Sequence, residues 1–513
     1  MAAVAGCGRS RSAERGNVLR IPLPIDLTSI DPALAADPYS IDTTQNAFEG
    51  LVAMGEDNRA HPCLATSSDV SKDGKTYTFH VRRGVKFQDG RAFEASDVVR
   101  SFERACGPSL DAPLAGDFLG DISGMAAYHS GKAAHLAGIR AVDARTIRIT
   151  LDAPHPYFIA KLTCPVACIV DCAAIKDGVH IRSLSEMAGT GPFRFTGYQE
   201  GQRITLAAFD GYWGGRPKID GIERPIIADE NARINAFKRG EIDVVPQVDR
   251  ADFAALRSDP ATESDVRLVD RATLVYLALN TQAWSDRRVR RAIAMAIDRR
   301  QIADDTLSGT VTPACGVLPP AVPGYRLDPG WIPPDAAKAR ALLAEAGHPA
   351  GKGLPEVIIS FAMENPDMER IADRVGAQIH AMLGLPVRLD KMDSATLIAK
   401  QNDKRLQAVV SGWFADYIDP EDFLSLLLTS NSAENHWNYS NPGFDRLCAS
   451  ADRCTLPAER LKLYAAAEDL ALGDASMIPL CYWKVPVLVA PRVHGLRFYA
   501  GNTLPYSTVT LGK

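Results

Sequence analysis

The apolar positions along the chain change period repeatedly, and each change marks an element. Val18–Leu23 reads as a first strand, and "TSIDPAL" after it as a turn. "TTQNAFEGLVAM" reads as a helix running into a short strand. In "SKDGKTYTFHVRRGVKFQDG", Thr76, Tyr77, Thr78, Phe79 and Val81 are strand formers between the turn dipeptides Asp73-Gly74 and Asp89-Gly90. "EASDVVRSFERA" predicts a helix starting at or near Ser96, with Asp97 favourable in its first turn. "TIRITL" is a further strand, and "GTGPFRFTGYQEGQRITLAAFDGYWGG" reads as a hairpin followed by an irregular Gly/aromatic loop. In "DENARINAFKRGEIDVV", a helix ends in Lys238 and Arg239, Gly240 supplies a left-handed stop, and "IDVV" returns to a sheet.

The second half repeats this alternation. "LVYLALNT" is a strand. In "SDRRVRRAIAMAIDRRQIADDTLSG", Val289, Ala292, Ile293, Ala296 and Ile297 share one helical face, and the arginines are expected on the solvent side. "PPDAAKARALLAEAG" predicts a helix with Gly347 just past its end. Strands alternating with helices indicate an α/β protein, and no fixed-period repeat is visible.

A chain of 513 residues is long enough for two to four domains. The net charge of -5 and pI near 6.1 argue against general nucleic-acid binding. No run of about 18 apolar residues writes a transmembrane helix. The N-terminus reads MAAVAGCGRSRSAERGN, in which Val4-Ala5-Gly6-Cys7 resembles a bacterial lipobox followed by a polar tether. The basic start and full apolar region of a signal peptide are missing, so the segment reads as a truncated or mis-started signal. Of the ten cysteines, Cys164, Cys168 and Cys172 are spaced i, i+4, i+8, which is not a paired zinc pattern. They read as small buried residues, with a disulfide somewhere among the ten still open. The expectation is no metal and no cofactor.

Several enzyme signatures fail. No HExxH, GxSxG or paired C-x2-C occurs. "GHPAGKG" at 347–353 is one residue short of a phosphate loop, has Gly353 where a hydroxyl must meet magnesium, and follows a helix end. His436, beside Trp437, reads as a loop hydrogen-bonder.

"SGWFADYIDPEDF", Ser411–Phe423, carries Asp416, Asp419, Glu421 and Asp422. Leu406–Phe414 before it reads as a strand. Asp419 precedes Pro420, a residue suited to the first helical position, so Asp419 is a good N-cap. Glu421 and Asp422 fall in the first turn, where the helix dipole favours negative charge. The loop lacks the alternating oxygens and glycine turn of a calcium site. Asp416 remains, at a strand exit beside an aromatic: solvent-facing by default, and well placed to receive a cation at a cleft.

Taken together, "SIDPAL", "FEGLVAM", "DGKTYTFHVRRGVKFQDGRAFEASDVVRSFERA", "GTGPFRFTGY", "AFKRGEIDVV", "LALNTQAWSDRRVRRAIAMAIDRRQI", "DAAKARALLAEAG" and "SGWFADYIDPEDF" stand in an order that resembles one family. It is the large extracytoplasmic solute-binding proteins of ABC importers, family 5, the peptide/oligopeptide/nickel-binding type. The resemblance covers nearly all of the chain after Cys7.

The resemblance implies an α/β fold of the periplasmic-binding-protein type II, a Venus flytrap of two lobes with an extra inserted domain. It implies a discontinuous base lobe at 18–60, 185–272 and 488–513, an inserted domain at 61–184, a second lobe at 273–487, and a signal remnant and tether at 1–17. It implies a monomeric, non-enzymatic receptor, periplasmic or at the cell surface and lipid-anchored through Cys7. Such a receptor hands peptides to a membrane permease driven by a cytoplasmic ATPase. Within the family, the Asp of a "GWFADY"-like stretch pairs with the ligand's α-ammonium, and Asp416 matches it. Gly412 and Phe414 are candidates for main-chain contacts in the manner of β-augmentation. Trp413 is expected to wall a side-chain pocket, and Ala415 and Tyr417 complete the candidate ligand-binding stretch. "LQAVVSGW" carries no basic residue where some oligopeptide binders place one for the peptide carboxylate. A nickel chelate, opine or oligosaccharide is the alternative ligand.

Overall fold

A computed structural model describes residues 16–330, 332–502 and 504–512. Cys7 and the tether lie outside the described residues, apart from the tether's last two positions. The chain opens with β1 (Val18–Arg20), a hairpin of β2 (Val52–Met54) and β3 (Ala60–Pro62), and an antiparallel sheet. That sheet holds β4 (Ala65–Val70), β5 (Thr76–Val81), β6 (Ile139–Asp143) and β7 (Thr146–Thr150), in the order β4-β5-β7-β6. Strand alternation in β5 turns Tyr77, Phe79 and Val81 into a core shared with Phe102 and Phe158. The helix between the hairpin strands of this sheet runs Ala95–Cys106, one residue ahead of Ser96. Asp97 accepts the Glu94 N–H at 2.9 Å, one half of a capping box.

A second sheet follows, built from β8 (Phe193–Gln199), β9 (Arg203–Ala208) and β10 (Gly221–Pro225), with β1 added parallel to β10. Beyond Arg20 the run Val18–Leu23 stays against the same neighbour, with Ile21 N–H on the Glu223 carbonyl at 3.0 Å, Leu23 N–H on the Pro225 carbonyl at 2.9 Å and a parallel bridge at Leu23↔Ile226. The expected hairpin is β8–β9, and Gly240, at φ 68°, terminates the helix Glu230–Lys238.

The third sheet is mixed and largest. Its path is β11 (Val244–Val245), β17 (Met477–Val489), β12 (Val266–Leu279), β16 (Ala408–Phe414), β14 (Val357–Ala362) and β15 (Val387–Met392), with β13 (Thr312–Pro313) also on β17. β12 and β17 are long because they pair with each other from Val266↔Leu488 to Ala278↔Met477, through register shifts after Asp270 and Val275. The helix Arg287–Met295 buries Val289, Ala292 and Ile293 as its pattern requires. Arg290 departs from the expected solvent side. It is buried, with Nε 2.9 Å from the Asp474 carbonyl and Nη1 2.8 Å from that of Trp284. Those carbonyls are tertiary partners, so helical periodicity could not reveal them. Two lobes, an inserted domain and this mixed α/β topology make the fold of the periplasmic-binding-protein type II.

Candidate ligand-binding cleft

The cleft is built on an incomplete ladder. β16 pairs with β12 along its whole length, from Leu279↔Ala408 to Thr273↔Phe414. On its other side it pairs with β14 only at Ile359↔Ala408 and Ser360↔Val409. Beyond Val409 that edge is open. Two bonds fix the phase of the ladder: Asn280 N–H to the Gln407 carbonyl at 3.0 Å, and Ala415 N–H to the Ala272 carbonyl at 2.8 Å. In an antiparallel pair successive residues direct their main-chain groups to opposite sides. The N–H and C=O groups of Val410, Gly412 and Phe414 therefore point away from β12, toward the open edge.

A cavity of about 520 Å³ lies against that edge, lined by Val410, Ser411, Gly412 and Phe414. A second, of about 190 Å³, adjoins it and is lined by Phe414, Ala415, Asp416 and Tyr417. Both are bordered by Pro38, Phe414, Gly501 and Asn502, so the two form one cleft with a waist. Trp413 lines neither. Its side chain lies on the other side of the strand, packs against the core under the helices Pro442–Arg453 and Pro457–Asp474, and donates Nε1–H to Asp422 Oδ2 at 3.0 Å. Strand alternation places it there, and its role as a pocket wall is corrected accordingly.

Asp416 is open to solvent at the mouth of the smaller cavity, yet protein surrounds much of it. That loss of hydration, then the carboxylates of Asp117 and Glu434, push its pKa up to about 6, against an opposing pull from Lys161. Lys161 is itself held by Asp121, Nζ–Oδ2 2.9 Å. Tyr417 is buried, stacks on Tyr157 with centroids 6.2 Å apart, and meets Phe118 edge-on at 6.0 Å. Its hydroxyl donates to Glu421.

The other acids of the stretch are structural, as capping logic predicts, but none faces water. Asp419 caps Pro420–Phe423 by accepting the Glu421 N–H at 2.9 Å. Glu421 is buried, and burial, then Asp452, push its pKa up to about 7. Asp422 is fully buried, and burial, then Asp416, hold its carboxyl well above the usual carboxylate range. Local sequence could not reveal this burial, because the covering groups come from the helix Pro457–Asp474 and from the inserted domain. Local pattern also missed Tyr39, Arg271, Thr273 and Trp483, which line the larger cavity from three distant segments.

All nine cysteines among the described residues are free thiols, and Cys164 and Cys168 line the smaller cavity. Among the described residues no group of three or more His, Cys, Asp or Glu could hold a metal ion, and no helix is long and apolar enough to cross a membrane.

Residues 59–435 match the model of the bacterial extracellular solute-binding proteins, family 5 Middle. The chain is 31% identical to heme-binding protein A of Haemophilus influenzae, covering 90% of this chain and 87% of that one. It is 30% identical to the periplasmic oligopeptide-binding protein OppA of Escherichia coli, covering 92% and 88%. Its fold superimposes on the MppA periplasmic murein tripeptide binding protein in its unliganded open form with a TM-score of 0.86, at 26% identity, over 97% and 98% of the two chains. The chain belongs to the bacterial extracellular solute-binding proteins of family 5.

Proposed function

We propose that this protein is the extracytoplasmic receptor of an ABC importer for peptides with a free N-terminus. The observation that carries the reading is the sequence of features along β16: an open main-chain edge at Gly412 and Phe414, followed at once by the carboxylate of Asp416. A strand edge receives any peptide backbone without regard to side chains. An ammonium leaving water needs a charged partner, which Asp416 supplies. The named ligands of the relatives, oligopeptide and heme among them, agree with a cleft whose chemistry varies within one family.

The remaining parts of the reading follow from the family. The receptor is a monomer and not an enzyme. Its base lobe comprises 18–60, 185–272 and 488–513, the inserted domain 61–184, and the second lobe 273–487. Cys7 carries a lipid that holds the receptor at the outer face of the membrane, where it docks on a permease coupled to a cytoplasmic ATPase.

The test is calorimetric titration of free and N-acetylated peptides into the wild type and Asp416→Asn. A charged hydrogen bond contributes about 1.5–3 kcal/mol. Acetylation and the substitution should therefore each weaken binding by about ten- to hundredfold. The two losses should not add, since both delete one interaction. Equal affinity for free and acetylated peptides removes Asp416 as the amine partner. Tight binding of a sugar or metal chelate, with no peptide bound, replaces the peptide reading.

A further inference from the structure

Asp416 sits on a short overhang between β16 and the helix Pro420–Phe423, and both ends of the overhang are tied down within one lobe. The Ala415 N–H donates to the Ala272 carbonyl at 2.8 Å, and Arg460 grips Asp419 through both oxygens. The middle of the overhang is Tyr417, and its ring is held by another part of the molecule. It stacks on Tyr157, with centroids 6.2 Å apart and planes 19° from parallel, and makes a T-shaped contact with Phe118. Tyr157 and Phe118 belong to the inserted domain, and all three rings are buried.

Tyr157 is itself firmly placed. It precedes the helical turn Phe158–Lys161, and Phe158 beside it is fully buried against Tyr77, with centroids 5.3 Å apart. Its hydroxyl hydrogen-bonds with His155 Nδ1 at 2.7 Å. One turn on, Lys161 Nζ lies 5.0 Å from the Tyr157 ring centroid and 5.4 Å from that of Tyr417, and Asp121 holds it at 2.9 Å. A cation this close to a ring is attracted to its face, so Lys161 draws together two rings from separate domains. The Lys161 ammonium and the carboxylate of Asp117, next to Phe118, are also the charges through which the inserted domain acts on Asp416. Tyr157 and Lys161 line neither cavity. A carboxylate meets an ammonium well only when packing locks the segment that carries it. The second lobe anchors the ends of that segment, and the stack on Tyr157 locks its middle.

We propose that Tyr157 is a positioning residue for ligand capture: by stacking on Tyr417 it aims the Asp416 carboxylate at the α-ammonium of the peptide, without touching the peptide itself. The inserted domain thereby takes part in recognition through the loop of another lobe. The assignment rests on the peptide reading above, with Asp416 as the amine partner. It adds the reason that this partner points into the cleft.

The experiment titrates Ala-Leu-Ala and N-acetyl-Ala-Leu-Ala into the wild type, Tyr157→Phe, Tyr157→Leu and Tyr157→Met, each substitution alone and combined with Asp416→Asn. Removing the ring should weaken the free-amine peptide about tenfold, part of what the charged bond supplies, and leave the acetylated one within about twofold. Tyr157→Phe keeps the stack and should stay within about twofold of the wild type for both peptides. In the Asp416→Asn background the ring substitutions should change neither affinity, because the carboxylate they misaim is gone. Equal weakening of both peptides overturns the assignment. So does a folded Leu or Met protein that keeps the wild-type preference for the free amine, or a Tyr157→Phe protein that loses it. If neither the Leu nor the Met protein folds, hydrogen exchange on the wild type decides. Free Ala-Leu-Ala should slow the amides of 157–161, which line neither cavity, and the acetylated peptide at equal saturation should not; the same exchange with both peptides overturns the assignment. A wild type that binds both peptides equally removes Asp416 as the amine partner and this assignment with it, and one that binds neither overturns the peptide reading as well.

Discussion

Asp419 and Arg460 form a buried bidentate ion pair, with Nη1–Oδ2 at 2.8 Å and Nη2–Oδ1 at 2.6 Å. The same Oδ1 accepts the Glu421 N–H that opens the helix Pro420–Phe423. Capping alone would make Asp419→Asn nearly neutral, because asparagine caps as well as aspartate. The ion pair changes that expectation. An asparagine leaves the guanidinium of Arg460 buried without a counter-charge, and breaking one side of such a pair costs about 3–5 kcal/mol. Asp419→Asn should lower the denaturant midpoint accordingly, and Arg460→Met with Asp419→Leu should recover much of the loss. A stability change under about 1 kcal/mol, inside the range of exposed pairs, would show that water screens the pair.

Under the role proposed for Asp416, its raised pKa should make peptide capture depend on pH. An ammonium binds the carboxylate, and a proton competes for the same oxygens. With its pKa at about 6, Asp416 is mostly ionised at pH 7 and mostly protonated at pH 5. Affinity should therefore fall about tenfold between those values as pH drops. The peptide's own amine stays protonated over that range. Asp117, Glu434 and Lys161 set the field at Asp416, and Asp416→Asn leaves all three in place. That variant should bind weakly and with little pH dependence when titrated calorimetrically from pH 5 to 7. A pH slope that survives unchanged in Asp416→Asn would assign it to another group.

The features that sequence displayed were those set by neighbours in the chain. The cap at Asp419, the stop at Gly240 and the strand that ends at Phe414 all depend on residues a few positions away, and the structure holds each of them. Asp416 stood out for the same reason, as the acid that capping did not use. What sequence hid was set at long range. Arg271 lies in a strand more than a hundred residues from Asp416, and nothing local distinguishes it from the solvated arginines around it. The open edge of β16 depends on where β14 stops pairing with it, which is a property of two segments at once. Trp413 was misplaced because its local context suggested a cleft, whereas strand alternation sends Gly412 and Phe414 there and turns the indole toward Asp422.

Glu421 should make the protein less stable as pH rises. Its folded-state pKa is raised to about 7 from an ordinary value of 4.5, so the folded protein holds this proton longer than the unfolded chain does. Stability from this group is full below pH 4.5 and is lost as pH climbs toward and through 7. Between pH 5 and pH 8 the loss is about 2–3 kcal/mol. Glu421→Gln keeps the shape and an acceptor for the Tyr417 hydroxyl, and it cannot ionise. Its stability relative to the wild type should therefore improve by about that amount from pH 5 to pH 8, in matched urea titrations. A difference that stays constant across that range would show that Glu421 does not titrate there.

Peptide binding should draw the lobes together. The fold matches an unliganded open form with a TM-score of 0.86, and the walls of the larger cavity come from opposite sides of the cleft. Tyr39 and Asn502 lie on one side, and Gly412 and Leu397 on the other. A peptide that lies along β16 touches one wall first and reaches the other only if the cleft narrows. The long strands β12 and β17 run between the two regions, and the register shifts after Asp270 and Val275 break their ladder partway along. Bending there costs fewer hydrogen bonds than bending an intact ladder, and hinges commonly sit at such positions. Small-angle scattering should show a smaller radius of gyration with saturating Ala-Leu-Ala than without it. Asp416→Asn should reach the same compact state only at about ten- to hundredfold more peptide, because a ligand shifts the equilibrium by no more than its preference for the closed form. An unchanged radius at a peptide concentration that calorimetry shows to be saturating would mean that this receptor captures its ligand without closing.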